Sequence, residues 1–161
     1  MRFIDPDGMG VDDVVLGGAE KQKAYTELQK SVQGQLNLSM DSAGKVTYTA
    51  VEGATVGADA QQLVSAIDDH SITVNVTAEN TYTTPGNSLY VGGAFMGNTV
   101  TTDSQTNAKT VDAQQLINPN VLETLSTAYN KLVLLHYMRL QRRIKEQKYL
   151  RQVVFRRLTA L

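Results

Sequence analysis

Gln35-Leu36-Asn37-Leu38-Ser39-Met40, then Asp41-Ser42-Ala43-Gly44, then Lys45-Val46-Thr47-Tyr48-Thr49-Ala50-Val51 is the stretch on which the fold turns. Apolar and polar residues alternate on both sides of a four-residue break, which is the period of a strand with one buried face. Asp opens the break and Gly closes it, so the pattern predicts two strands joined as a β-hairpin. Upstream, Ala19, Ala24, Leu28 and Val32 recur at helical spacing among Glu, Lys and Gln, predicting a surface helix over 17–33. Downstream, Ala60, Leu63, Val64 and Ile67 predict a second helix over 59–69, with Asp59 available as its N-cap. Ser71-Ile72-Thr73-Val74-Asn75-Val76-Thr77-Ala78 returns to period two. Residues 79–90 read as a loop turning at Pro85-Gly86, with short strands at 89–91, 99–102 and 109–113 and a helix opening within 119–130. The order predicts an α+β fold: N-terminal helix, β-hairpin, second helix and further short antiparallel strands, ending in a basic C-terminal helix.

At 161 residues, 42% hydrophobic and 19% charged, the chain has the size and polarity of one soluble domain. It contains no cysteine, which excludes disulfides, thiolate zinc sites, iron–sulfur clusters and cysteine nucleophiles. His70 and His136 are its two histidines, too few for a three-histidine metal site. No run of about 18 apolar residues occurs, and residues 1–10 carry Asp, Pro and Gly where a signal peptide would be apolar. As written, the chain is expected neither to span a membrane nor to direct its own export, and its location is unknown.

The formal net charge of -1 conceals a sharp division. Residues 1–130 carry 6 Lys/Arg against 15 Asp/Glu, whereas residues 131–161 carry 9 Lys/Arg against the single acid Glu146. Residue usage changes at the same place. Thr, Asn, Ser, Asp and Gly dominate before it; beyond it there is no Gly, Pro, Asp, Asn or Ser. Two segments with different histories or partners are implied. The tail favours a helix by propensity, with Val133, Tyr137, Leu140 and Ile144 roughly on one face, but Gln147 and Arg151 interrupt the stripe. Arg139, Arg142, Arg143, Lys145, Lys148, Arg151, Arg156 and Arg157 would be spread around that helix instead of aligned, and no nucleic-acid-binding motif surrounds them. No specific nucleic acid or membrane partner is therefore predicted.

Other candidate chemistry is weak. Asp5, Asp7 and Asp12 flank Gly8, yet the glycine comes too early for a calcium loop and no bidentate Glu closes it, so a turn is expected. Asp68-Asp69-His70 could offer metal ligands, but adjacent residues diverge at a helix end, and a helix terminus accounts for them better. Gly92-Gly93 and Gly97 lack the Gly-Lys-Ser/Thr ending of a phosphate loop, and no Gly-x-Ser-x-Gly elbow is present. No catalytic, cofactor-binding or metal residue is assigned.

The opening Arg2-Phe3-Ile4-Asp5-Pro6-Asp7-Gly8-Met9 resembles the end of the RHS repeat-associated core, the boundary after which polymorphic-toxin proteins change to variable C-terminal domains. In those proteins an apolar residue preceded by Asn-Pro often stands before the arginine, so Met1 resembles an internal start in a longer reading frame. The resemblance divides the chain into 1–10, the end of the core motif; 11–130, a C-terminal effector-like domain; and 131–161, a basic helical tail. It also implies a parent RHS shell, an immunity protein as partner, and parent proteins that are secreted or at the cell surface. Residues 25–130, including Tyr90-Val91-Gly92-Gly93-Ala94-Phe95-Met96-Gly97-Asn98 and Ile117-Asn118-Pro119-Asn120-Val121-Leu122, are similar to one such C-terminal family. Its members continue with a segment of the form Leu-His-Glu-Val-Thr-Glu-Ala-Tyr-Gln-Gly-Ala-Lys. On a helix, that His-Glu pair resembles the start of a zincin site, which implies zinc and metallopeptidase-like chemistry in intact relatives.

The continuation is missing here, and codon arithmetic offers a reason. In a shifted frame each codon takes the third base of one residue's codon and the first two of the next. Tyr137 to Met138 then permits only His or Tyr, and Met138 to Arg139 only Glu or Ala. Every junction of 132–157 is compatible with the family segment and its flanks. The expectation is a frameshift near Lys131, leaving a truncated chain with an out-of-frame tail and no catalytic activity. The competing class is an acidic binding or structural domain whose basic C-terminal helix contacts nucleic acid, anionic lipid or a protein partner.

Overall fold

The computed structural model describes residues 13–69 and 71–129. The motif Arg2, Phe3, Ile4, Asp5, Pro6, Asp7, Gly8, together with His70 and the basic tail, lies outside the described residues. The elements run β1 (Asp13–Gly17), α1 (Lys21–Ser31), β2 (Leu36–Met40), β3 (Lys45–Ala50), α2 (Ala58–Ile67), β4 (Ile72–Ala78), β5 (Gly93–Thr102), β6 (Lys109–Ile117) and α3 (Pro119–Tyr129). The class is α+β, built on one mixed sheet of order β2-β3-β1-β4-β6-β5.

The hairpin forms as its alternation dictates. β2 and β3 pair antiparallel, Leu36 opposite Ala50 and Met40 opposite Val46. Asp41 closes the turn by accepting the Lys45 N–H on Oδ1 at 2.9 Å. Gly44 holds φ +90, and a Cβ there would stand 2.0 Å from the Leu16 carbonyl oxygen. Only glycine lets the hairpin press this closely against the neighbouring strand.

That neighbour, β1, is absent from the sequence reading, and it changes the topology. Val14 pairs antiparallel with Val46 of β3 and parallel with Val74 of β4. β4 in turn runs parallel to β6, Ile72 opposite Val111 and Ala78 opposite Ile117. The expected further antiparallel strands are thus corrected at β4, which is parallel to both neighbours because α1, the hairpin and α2 form a crossover between β1 and β4. β5 and β6 do pair antiparallel, but as ten- and nine-residue strands that absorb the two short ones expected at 99–102 and 109–113. The strand expected at 89–91 is reduced to one isolated bridge, Thr83 to Leu89.

The pleat sorts the sheet into two faces. Val14, Leu16, Leu36, Leu38, Val46, Val76, Ala78 and Ile117 form one buried face with Ala24 and Leu28 of α1, Val32 at its C-cap, Ala60 and Leu63 of α2 and Leu122 of α3. Each fully buried Leu, Ile or Val contributes about 1.5–3 kcal/mol, so this cluster dominates stability. The opposite face is polar: Thr47, Thr49 and Thr77 are exposed there, and Asp112 Oδ1 accepts from Asn75 Nδ2 at 2.8 Å and Gln114 Nε2 at 2.7 Å. Ala19 is exposed ahead of α1, which starts at Lys21; Ala24, Leu28 and Val32 alone make the predicted stripe. Asp59 lies inside the first turn of α2, with Gly57 at the N-cap. The Gly57 N–H donates to Gln35 Oε1 at 2.6 Å, which ties the start of α2 to the residue ahead of β2, while no side chain caps the helix.

Candidate functional site

The parallel strands β1, β4 and β6 all end at the same edge of the sheet, where open sheets containing parallel strands place their ligand sites. Three segments leave this edge: Gly18-Ala19-Glu20, Glu79-Asn80-Thr81 and Asn118. Gly18 adopts φ +89, and a Cβ there would lie 2.2 Å from the Ala78 carbonyl oxygen. This permits the Glu20 N–H to donate to that oxygen at 3.0 Å and starts α1 directly above β4.

The start of α1 would suit an anion, because its first N–H groups point outward with the positive end of the helix dipole. Here Glu79 Oε1 accepts the Ala19 N–H at 3.0 Å, one residue ahead of the N-cap Glu20, which sets a carboxylate beside the start of the helix. Asn118, fully buried, is equally committed. Its Oδ1 accepts the N–H groups of Asn120 at 3.1 Å and Val121 at 3.3 Å, capping α3. Its Nδ2 donates to the Thr81 carbonyl at 2.8 Å, and its N–H to the Gly92 carbonyl at 2.9 Å. Asn118 therefore ties β6, α3 and the 79–92 segment into one unit.

Lys23 of α1 reaches Asn120 Oδ1 and, at 2.7 Å, Glu123 Oε2 on α3. That hydrogen bond and the ammonium charge hold the Glu123 carboxyl below the usual carboxylate range. Further along the same face of α1, nearly buried Glu27 accepts from Lys30 Nζ at 2.8 Å, which raises the Lys30 pKa. These are structural clasps. They pair each charge with its opposite and leave no poised base beside a nucleophile.

Of the acidic cluster at 68–70, Asp68 Oδ2 accepts the Tyr48 hydroxyl at 2.7 Å, raising the tyrosine pKa. Asp69 Oδ1 accepts the Ser71 hydroxyl at 2.6 Å and its N–H at 3.2 Å. Both carboxylates thus serve the end of α2. Gly92 sits at a buried turn with φ +75, and Gly97 lies at the β5 bulge with φ +114. Among the described residues no three His, Cys, Asp or Glu side chains group as a metal site, and no helix is long and apolar enough to cross a membrane.

The strand-end edge itself escaped the sequence reading; its signal was Val14-Val15-Leu16 followed by Gly17-Gly18, an apolar run broken by two glycines. A second missed feature is Gln115 of β6, whose buried Nε2 has no hydrogen-bond partner. Polar-apolar alternation alone could not mark it, because Gln115 occupies a core-side position. Comparison with protein-family models, curated proteins and solved structures returned no match.

Proposed function

We propose that the chain is a non-catalytic fragment of an RHS-type polymorphic-toxin C-terminal region. In this reading 11–130 is the effector-like α+β domain and 131–161 an out-of-frame replacement for the segment that carries chemistry in intact relatives. The observation that carries it is the break at residue 131, where charge, glycine content and polar usage all change at once and the shifted frame is compatible with the family segment at every junction of 132–157.

The donor set of this chain does not fit the zinc site that the resemblance implies for relatives. His136 is followed by Tyr137, so the His-Glu pair is not translated, and no cysteine can substitute. Carboxylates at the described strand-end edge are already engaged, Glu79 with α1 and Glu123 with Lys23. Sequencing the gene around codon 131 tests the reading: a second frame that encodes the His-Glu segment is expected, and one that yields no such segment overturns it.

The contrast between 9 basic residues in 131–161 and 15 acidic ones before it supports the second reading, a binding module that recruits an anionic partner. Salt-dependent binding to DNA or anionic vesicles, lost on deleting 131–161, would favour it over the first.

A further inference from the structure

We draw no further inference here: the strongest candidate, the uncharged surface of 80–102 that exposes Tyr82, Leu89 and Val91 of the segment after β4 and Met96 and Val100 of β5, is an unpartnered apolar patch, and nothing in the structure shows what covers it.

Discussion

Replacing Gly44 by alanine tests how the hairpin docks on β1. Gly44 has φ +90, and a left-handed backbone costs an L-residue about 1–2 kcal/mol. The added Cβ would also meet the Leu16 carbonyl oxygen at 2.0 Å and its carbon at 3.0 Å, both backbone atoms of a central strand. The turn must withdraw, and the hydrogen bond from the Leu16 N–H to the Gly44 carbonyl, 2.8 Å long, is then lost. Leaving that buried amide unpaired adds about 1–3 kcal/mol. The total is about 2–5 kcal/mol. Gly34 is the internal control, since it has φ +76 and nothing within 4 Å of its ideal Cβ. Gly34→Ala should therefore show the backbone cost alone, about 1–2 kcal/mol. Urea unfolding followed by circular dichroism separates the two: with a slope of about 2 kcal/mol per molar, Gly44→Ala should melt about 0.5–1.5 M below Gly34→Ala. Equal midpoints would refute the close packing of the hairpin turn on β1.

Leu28, fully buried under α1, should cost about 2–5 kcal/mol on truncation to alanine, read as a lower urea midpoint with an unchanged slope. Glu123 has a depressed folded-state pKa, so its contribution is present above the unfolded value of about 4.3 and is lost as pH falls through the folded value. The stability gap between wild type and Glu123→Gln should therefore be seen at pH 7 and close in acid; a gap independent of pH would contradict the Lys23 clasp. Tyr48 shifts upward through its bond to Asp68, so that contribution is complete below the unfolded tyrosine pKa and fades as pH rises through the folded one. Tyr48→Phe should abolish that alkaline limb in spectrophotometric titration. After dialysis the full chain should retain no stoichiometric zinc and show no chelator-sensitive proteolysis; finding either would restore the metallopeptidase reading.

Elements whose signals are local were legible in the residues themselves. The alternation of 35–51 placed the hairpin, and Asp41 and Gly44 marked its turn because turn geometry depends on the residues that make it. The spacing of Ala24, Leu28 and Val32 located α1, while Ala60 and Leu63 located α2, since a buried helical stripe repeats within a few residues. The end of the chain's acidic character at residue 130 was likewise legible from composition alone.

Tertiary structure decided what depends on partners distant in sequence. Five-residue β1 is a strand because β3 and β4 satisfy its backbone from both sides; in isolation it reads as an apolar fragment between Asp and Gly. Thr-rich β5 extends to ten residues through its ladder with β6, not through its own hydrophobicity. Parallel pairing of β4 with partners 60 and 39 residues away could not be read from period two, which is the same in either direction. The strand-end edge follows from that pairing: Gly18, Glu79 and Asn118 are far apart in sequence and converge only because parallel strands finish together.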